Sequence, residues 1–373
     1  MKIGIPAETW SGETRVAATP ETVKKLVAGH HTVVVQSGAG VAASVTDEAY
    51  RAAGAEIAGA AEAFGADIVL KVRAPSAAEL ALLRSGAIVI GMLNPFDGEK
   101  IAAMAAHGLV AFALEAAPRI TRAQSMDVLS SQANIAGYKA VLLAANTYGR
   151  FMPMLMTAAG TVKAARMLIM GVGVAGLQAI ATAKRLGAVI EASDVRPPVK
   201  EQVESLGAKF IDVPYLTDEE REIAQGTGGY ARSMPAEWMR RQGELVHERA
   251  KLADIIITTA LIPGRRAPTL ISEETVAAMK PGSVIVDMAV EQGGNCPLSE
   301  LGRTVTKYGV HIIGEPNLAT LVPADASALY ARNVLDFLKL IVDKEGALVI
   351  NRDDEIVAAT LLCSGGEVLR KQA

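Results

Sequence analysis

The sequence predicts an α/β protein of two domains, each built on a doubly wound parallel sheet. Short apolar runs alternate with helical stretches along most of the chain, which is typical of strand–helix–strand units with parallel strands. Half of the residues are hydrophobic but only 4% are aromatic, and such aliphatic sequences suit strands that are buried on both faces. The length of 373 residues is also enough for two or three domains.

The first domain is predicted from five apolar runs separated by helices. We expect strands at residues 2–5, 32–36, 67–71, 87–91 and 109–113, with helices that include 20–28 and 46–53. A long helix is then expected from about residue 125 to residue 147. Strands and helices in this alternation form a parallel sheet that is covered by helices.

A second series of apolar runs predicts the second domain. Its strands are expected at 166–170, 188–192, 209–213, 254–258, 283–287 and 311–313, followed by a second long helix at about 324–342. The tail has two strand-like runs, 347–350 and 355–361, which we expect to return to the first domain because the second already has a full set of strands. The predicted domains are therefore 1–130 with 320–373, and 131–319. Two long helices would link them, and a ligand cleft would lie between them at the carboxyl ends of the strands.

A glycine-rich turn after the first strand of the second domain is the most specific motif in the chain. Gly171 permits the tight turn, Gly173 allows the backbone to approach a pyrophosphate, and Gly176 allows close packing of helix on strand. Backbone N–H groups at the start of the helix, including those of Val174 and Ala175, suit phosphate oxygens. The motif predicts a dinucleotide site in a Rossmann-like domain.

An acidic residue, Asp194, ends the next strand. It is placed to bond a ribose 2′-hydroxyl and would repel a 2′-phosphate, so the expected cofactor is NAD(H) rather than NADP(H). Val195 and Arg196 follow it and are included in the predicted cofactor site. Arg196 has two interpretations: a solvated loop arginine, which we favour, or a residue that contacts a phosphate.

A second polar segment precedes the first long helix. It contains Arg119, Gln124 and Asp127, which we expect to form a hydrogen-bonded cluster facing the nicotinamide end of the cofactor. The alternative is helix capping, with Thr121 or Ser125 as the N-cap residue. Capping alone would not require an arginine, a glutamine and an aspartate together.

A long polar insertion interrupts the strand series between residues 213 and 254. Loops of this length in compact domains are usually functional or disordered. We expect its glycine-rich part, 226–235, to act as a lid in which Tyr230 and Met234 close on the ligand. The alternative is an ordinary surface loop.

None of the histidines lies beside either motif in the sequence; they are His30, His31, His107, His247 and His311. An enzyme that reduces a carbonyl or an imine must deliver a proton as well as a hydride, usually from histidine or another acid. If the hydride acceptor is another nicotinamide ring, no proton is needed and positioning alone serves. In that case the predicted site would be one half of a hydride-transfer site.

Charge and hydropathy argue against several other classes. The net charge of −3 gives no electrostatic argument for nucleic acid. The uncharged run 167–183 approaches the length of a membrane span, but its glycines fit a buried strand and a phosphate turn better. No signal peptide precedes the first strand, and Cys296 and Cys363 form no metal or redox motif. We expect a protein of a reducing compartment, without a metal and without direct membrane insertion.

Several long segments resemble the NAD(H)-binding part of the alpha subunit of proton-translocating NAD(P) transhydrogenases. These segments are 122–127, 130–134, 137–138, 156–160, 171–187, 258–264 and 291–297. The resemblance implies a homodimer and direct hydride transfer from NADH to NADP+ on a partner beta subunit, so NADP(H) is held by that partner. It also implies coupling to proton movement through a separate membrane-domain subunit. The chain would then be a cytoplasmic protein, held at the inner face of the cell membrane by its partners.

The resemblance also implies roles for individual residues. Arg119, Gln124 and Asp127 match the family's loop at the nicotinamide, and Ser130 matches a residue near the carboxamide. Asp194 matches the ligand of the adenosine ribose. The remaining cofactor-binding residues are implied to be Tyr138, Gly226, Tyr230, Thr259, Ala260 and Leu261.

Alanine dehydrogenase shares this fold and is the main alternative. Arg15 and Lys71 match residues that bind pyruvate in that family, but Asn94 lies where its catalytic histidine is expected, and Glu291 replaces an expected aspartate. Without a proton donor, reductive amination is not favoured. Arg15 would then be retained as an ion-pair partner and Lys71 as a cap at a strand end. A non-catalytic NAD-binding regulator is a third alternative, against which the polar cluster argues.

Overall fold

The structure is a computed structural model that describes residues 1–196, 198–225, 234–262, 264–343 and 345–370. The chain divides into two compact units: unit 1 is Met1–Gln132 with Thr320–Ala373, and unit 2 is Ala133–Ala319. Each unit is an α/β structure with a largely parallel sheet, so the predicted fold class is confirmed.

The strands are numbered along the chain. They are β1 Lys2–Ile5, β2 Thr32–Gln36, β3 Glu56–Ala58, β4 Ile68–Arg73, β5 Ile88–Met92, β6 Val110–Ala113, β7 Leu155–Thr157, β8 Gly160–Val162, β9 Arg166–Met170, β10 Val189–Ser193, β11 Lys209–Phe210, β12 Ile255–Thr258, β13 Val284–Asp287, β14 Arg303–Lys307, β15 Val310–Gly314, β16 Leu361–Ser364 and β17 Glu367–Val368.

The helices are numbered in the same way. They are α1 Pro20–Ala28, α2 Asp47–Ala52, α3 Ala60–Phe64, α4 Ala77–Leu80, α5 Gly98–Ala106, α6 Val128–Thr147, α7 Val174–Arg185, α8 Val199–Ser205, α9 Asp218–Gln225, α10 Ala236–Ala250, α11 Glu273–Ala278, α12 Pro323–Ile341 and α13 Glu355–Thr360. Among the described residues, no helix combines the length and the apolar character that crossing a membrane requires.

Unit 1 contains a sheet of eight strands, counted over the described residues, in the order β17-β16-β6-β5-β4-β1-β2-β3. The six strands from β3 to β6 pair in parallel, and β16 of the tail adds to β6 in antiparallel orientation. Alternate residues of β4 enter different cores: Ile68 and Leu70 join one apolar cluster, and Val69 joins another. This sheet is therefore buried on both faces, which explains its continuous apolar strands.

The prediction for the tail was wrong in its secondary structure. Residues 355–360 form the helix α13, and the strand begins only at Leu361. The cause is a helix cap, because the Asp354 side chain accepts hydrogen bonds from the N–H groups of Ile356 and Val357. Of the run 347–350, only Leu348 makes an isolated bridge, to Val342.

Unit 2 contains a sheet of seven strands, again counted over the described residues, in the order β11-β10-β9-β12-β13-β15-β14. All pairs are parallel except the hairpin β14–β15. The strand β9 lies between β10 and β12, so the order of the strands reverses beside it. Ligands of open α/β sheets bind at the carboxyl ends of the strands at such a reversal.

Several strand predictions need correction in unit 2. The sequence analysis missed β14 and the small hairpin β7–β8, and it made β11 too long, since only Lys209–Phe210 pair with β10. The strands β7 and β14 are mainly solvent-exposed, so they lack the apolar runs on which the prediction relied.

Candidate cofactor site

The turn between β9 and α7 is formed by three glycines, which we call the glycine cradle: Gly171, Gly173 and Gly176. Gly171 has a positive φ of 92°, and a Cβ there would lie 2.6 Å from Thr259 Oγ1. A Cβ on Gly176 would lie 2.1 Å from the Gly171 carbonyl oxygen. Both positions therefore require glycine for the fold itself.

Gly173 differs from the other two glycines because no described residue crowds it. A Cβ at this position would meet no described atom within 4 Å, so the space beside its backbone is open. Gly173 is also the N-cap residue of α7, and none of the described side chains caps the helix. The first N–H groups of a helix have no partner within it, so those of Val174, Ala175 and Gly176 suit an anion. The cradle therefore fits a pyrophosphate group.

The start of α7 also packs closely on α6. A Cβ on Gly137 would lie 2.1 Å from the carbonyl oxygen of Ala175, so the two helices approach each other at a glycine. The next residue, Tyr138, is 40% exposed, which leaves its side chain accessible to a ligand. The glycine next to Tyr138 thus has a packing role that supports the position of the cradle.

The wall beside the cradle follows β12. The Thr259 N–H bonds to the Met170 carbonyl at 2.8 Å, and the Thr259 hydroxyl donates to the Gly171 carbonyl at 2.9 Å. Ala260 comes next, and Leu261 after it is 44% exposed. This hydrogen bonding fixes the spacing between the end of β12 and the turn after β9.

Two residues that the sequence analysis missed hold this wall in place. Asn295 accepts from the Ala260 N–H at 3.1 Å and donates to the Ala260 carbonyl at 2.9 Å. Asp287 is fully buried and accepts from the N–H groups of Asn295 at 3.1 Å and of Cys296 at 3.0 Å. The sequence contained one signal for this pair, because Asp287 is a charged residue at the carboxyl end of an apolar strand.

The predicted ribose ligand, Asp194, lies at the end of β10 beside the cradle. Its Oδ2 accepts from the Val172 N–H at 2.7 Å. The same carboxylate forms a two-pronged ion pair with Arg196, through Nε to Oδ1 at 2.9 Å and through Nη2 to Oδ2 at 2.8 Å. The favoured interpretation of Arg196 as a solvated loop arginine is therefore wrong, because only 22% of its side chain is exposed and its charge is paired. The hydrogen bonds that Arg196 donates to Asp194 raise the pKa of Arg196 above its ordinary value.

The predicted lid lies largely outside the described residues, which exclude 226–233. Gly226 and Tyr230 belong to that segment of the chain. Met234 follows it and is buried in an apolar cluster with Trp238. Val195 packs partly against the same cluster, and its carbonyl accepts from the Tyr215 hydroxyl at 3.2 Å. The described residues of the insertion that surround Met234 therefore pack within unit 2.

The polar segment of unit 1 is organised around the start of α6. The carboxylate of Asp127 accepts from the Ser130 N–H at 2.9 Å and from the Ser130 hydroxyl at 2.5 Å. Asp127 is thus the N-cap residue, and the alternative caps Thr121 and Ser125 are wrong because they lie in a preceding 3-10 turn, Thr121–Met126. The predicted start of this helix at about residue 125 is corrected to Val128 for the same reason.

Two other residues of this segment, Arg119 and Gln124, are exposed. The neighbouring Arg122 pairs with Asp354 at 2.5 Å, so it connects the segment to the cap of α13. The described hydrogen bonds thus join Asp127 to Ser130, and the cluster of Arg119, Gln124 and Asp127 stays a prediction.

Unit 1 also contains a buried ionic cluster, which we define as Glu8, Glu13, Arg15, Lys71 and Glu79. The Lys71 ammonium is fully buried and lies 3.1 Å from Glu8 and 2.8 Å from Glu79. Arg15 pairs with Glu13 at 2.7 Å and donates to Gln132 at 2.8 Å. Arg15 is therefore the expected ion-pair partner, whereas Lys71 lies within β4 and does not cap a strand end.

The charges of the ionic cluster act on its carboxylates in different ways. Burial raises the pKa of Glu8, and Lys71 opposes this shift. Burial also acts on Glu13, but the hydrogen bonds and charge of Arg15 are stronger together and lower its pKa. Each cation of the cluster has a carboxylate partner, and Arg73, 3.1 Å from Glu13, provides a third cation beside the three carboxylates.

Asn94, the residue at the position of the missing histidine, lies at the end of β5 with a φ of 58°. Its N–H donates to Glu115 Oε1 at 2.7 Å. The other oxygen of Glu115 is buried and has no hydrogen-bond partner among the described atoms. Burial raises the pKa of Glu115 to about 7, so this carboxyl group takes up a proton near neutral pH.

Family models identify the class of protein that this fold and site define. Residues 4–136 match the N-terminal domain, and residues 140–371 the C-terminal domain, of the family described as alanine dehydrogenase/PNT. The chain belongs to this family.

Within the family, the chain is most informatively compared with NAD(P) transhydrogenase alpha subunits. It is 53% identical to an NAD(P) transhydrogenase alpha-subunit protein of Rhodospirillum rubrum over 378 residues, which cover 99% of this chain and 98% of the relative. A crystal structure of transhydrogenase from Sinorhizobium meliloti superposes with a TM-score of 0.89 at 51% identity, covering 99% of this chain and 100% of the other. The resemblance stated from the sequence motifs is thereby confirmed.

The alternative enzyme is a more distant relative. Alanine dehydrogenase of Mycobacterium tuberculosis is 32% identical over 300 residues, which cover 79% of this chain and 74% of that protein. The identity is much lower and the match covers less of the chain, in agreement with the motifs that favoured the transhydrogenase.

Proposed function

We propose that this chain binds NAD(H) at the glycine cradle and presents it for direct hydride transfer to NADP+ held by a partner beta subunit. The observation that carries the proposal is the open backbone at Gly173, the uncapped start of α7, with Asp194 beside it. When bound, NADH supplies the hydride. In this proposal a separate membrane-domain subunit couples the transfer to proton translocation.

The residues of unit 2 would hold the cofactor by its phosphates and its adenosine ribose. The N–H groups of Val174, Ala175 and Gly176 would bind the pyrophosphate, and Asp194 would accept from the ribose hydroxyls. The further cofactor-binding residues in this proposal are Tyr138, Val195, Arg196, Gly226, Tyr230, Thr259, Ala260 and Leu261.

The residues of unit 1 would act at the nicotinamide end. We assign Arg119, Gln124, Asp127 and Ser130 to positioning the nicotinamide, because hydride transfer between two such rings needs geometry and no proton donor. The support for this assignment is the fixed carboxylate of Asp127, held by two hydrogen bonds to Ser130. Such a carboxylate keeps one orientation during transfer.

The assembly we propose has the chain as a homodimer, bound through its partner subunits to the inner face of the cell membrane. The hairpin β7–β8 supports a self-association surface, since Met154 is 62% and Met156 is 70% exposed there. Exposed apolar side chains close together in space mark interaction surfaces. The relative from Rhodospirillum rubrum is itself named a subunit, in agreement with partner subunits.

Reconstitution tests the proposed function against its alternative. NADH is first mixed with the chain alone, pyruvate and ammonia, and its oxidation is followed by absorbance. We expect no oxidation, because Asn94 offers no acid for the proton that reductive amination requires. Adding an NADP(H)-binding beta subunit with NADP+ should then start the oxidation of NADH. Rapid oxidation with pyruvate and ammonia alone would instead identify an alanine dehydrogenase.

A further inference from the structure

The carboxylate of Asp194 has all of its acceptor positions occupied by protein donors. Oδ1 accepts from the Arg196 N–H and from Arg196 Nε, both at 2.9 Å. Oδ2 accepts from the Val172 N–H at 2.7 Å and from Arg196 Nη2 at 2.8 Å. A carboxylate offers about four lone-pair positions, so the carboxylate as described has none left for two ribose hydroxyls.

The donors differ in how easily they can leave. The N–H groups of Val172 and Arg196 belong to the backbone of the turns after β9 and β10. The guanidinium of Arg196 is at the end of a long side chain with several rotatable bonds, so it can move away from the carboxylate without a change in the backbone. A ribose that bonds to Asp194 therefore takes the positions of Arg196 Nε and Nη2.

A guanidinium binds carboxylate and phosphate with the same fork of two N–H groups. In the proposed site Arg196 would stand next to the 2′ position of the ribose with a group suited to a 2′-phosphate, but its charge is paired with Asp194 at 2.8 Å. The next cation along the chain, Lys200, is paired with Asp212 at 2.6 Å. Of these two cations, Arg196 is therefore the better placed to meet a phosphate at this position.

We propose that Asp194 and Arg196 together determine which dinucleotide this chain accepts. Asp194 repels a 2′-phosphate and also keeps Arg196 occupied, so both effects favour NAD(H). Once the charge of Asp194 is removed, Arg196 becomes the ligand of the 2′-phosphate of NADP(H). This inference rests on the proposed cofactor site and goes beyond it, because it assigns to Arg196 a phosphate specificity that the wild-type chain does not use.

The test compares the wild type with Asp194→Asn, Arg196→Gln and the double variant. Asn keeps an oxygen for the Val172 N–H, so the turn retains that bond. Binding of NADH and of NADPH is measured by nicotinamide fluorescence, and binding of 2′,5′-ADP and 5′-AMP by calorimetry, so no readout depends on hydride transfer. Lys200→Gln is the matched control, because it removes a neighbouring paired cation.

We expect Asp194→Asn to weaken NADH binding by about tenfold and to strengthen NADPH binding by about tenfold, the change expected when one charge-assisted hydrogen bond is lost or gained. The double variant should lose the gain in NADPH and 2′,5′-ADP binding. Arg196→Gln alone should bind NADPH more weakly than the wild type, since Asp194 is then unpaired. Lys200→Gln should behave as the wild type.

Two results would overturn the inference while leaving the proposed function intact. One is a folded Asp194→Asn variant with no increase in NADPH affinity, and the other is a double variant that binds NADPH as tightly as Asp194→Asn. Circular dichroism and thermal unfolding verify the fold of each variant. A wild-type chain that binds neither NADH nor 5′-AMP would overturn the proposed function as well, so the two failures are distinguishable.

Discussion

In unit 2 the glycine cradle presents backbone N–H groups at the start of α7, with space beside Gly173 for a charged ligand. In unit 1 the ionic cluster places Lys71 between Glu8 and Glu79, with all three side chains almost fully buried. The cradle uses backbone N–H groups and leaves them for a ligand, whereas the ionic cluster uses charged side chains that pair with one another in the interior. This difference predicts that substitutions in the cluster act on stability and that substitutions at Gly173 act on binding.

The largest effect is expected from Lys71→Met. The change removes the ammonium and leaves the carboxylates of Glu8 and Glu79 together in the interior. Breaking a buried ion pair in this way destabilises a protein by ~3–5 kcal/mol, which urea unfolding monitored by circular dichroism can measure. NADH affinity of the folded variant should remain that of the wild type, because the cradle lies in unit 2.

The matched control is Lys25→Met, which breaks an exposed ion pair with Glu21. Solvent-exposed pairs contribute little to stability, so its unfolding curve should stay close to that of the wild type. Equal unfolding curves for the two variants would show that the buried cluster is no more important than a surface pair.

The next effect concerns Glu115 of unit 1, a buried carboxyl group whose ionisation is opposed by burial more strongly than it is favoured by the charge of Arg370. Its pKa is raised from 4.5 to about 7 by burial, so the folded protein holds a proton that the unfolded chain has released. Stability contributed by this proton is fully present below about pH 4.5 and is lost as the pH rises through 7. Glu115→Gln keeps an acceptor for the Asn94 N–H but cannot ionise. Between pH 5 and pH 8, the wild type should lose ~2–3 kcal/mol more stability than this variant. Equal pH dependence of their urea midpoints would contradict the shift.

Two glycine substitutions test the prediction that Gly173 of the cradle acts on binding rather than on stability. In Gly176→Ala the new methyl group meets the Gly171 carbonyl oxygen at 2.1 Å, and such overpacking costs ~1–3 kcal/mol. In Gly173→Ala the methyl group meets no described atom within 4 Å, so the melting temperature should be retained. NADH binding should weaken by ~10-fold or more, because the methyl group occupies the space for the pyrophosphate. If Gly173→Ala bound NADH as the wild type does, the cradle would not be the phosphate site.

The sequence predicted those features that depend on the backbone and on short-range pattern. Gly171 and Gly176 are required by contacts within one turn, and the strands β1, β2 and β9 have the predicted bounds because their apolar runs are uninterrupted. The α/β class follows from the same alternation. Such features are local, and the residues that specify them are adjacent in the chain.

The features that were missed depend on which side chains the fold brings together. The Asp194–Arg196 pair, the Asp127 cap and the hydrogen bonds of Asn295 each require one choice among several polar partners. In the tail, residues 355–360 have the composition of a strand, yet the cap at Asp354 makes them a helix. The hydrophobic pattern does not determine such hydrogen bonds, so only the three-dimensional structure shows them.

The smallest effect is expected from Asp127→Asn. This substitution distinguishes the two roles of Asp127 in unit 1, as a helix cap and as a proposed nicotinamide ligand. Asn caps helices about as well as Asp, so Asp127→Asn should retain the thermal stability and lose only the negative charge. If the charge positions the nicotinamide, hydride transfer in the reconstituted system slows by about tenfold while the Kd of NADH changes little, the pattern of an interaction that is made mainly in the transition state. The matched control is Asp354→Asn, which changes another aspartate cap of unit 1 and should leave transfer at the wild-type rate. A wild-type rate in Asp127→Asn as well would show that Asp127 serves only as the cap of α6.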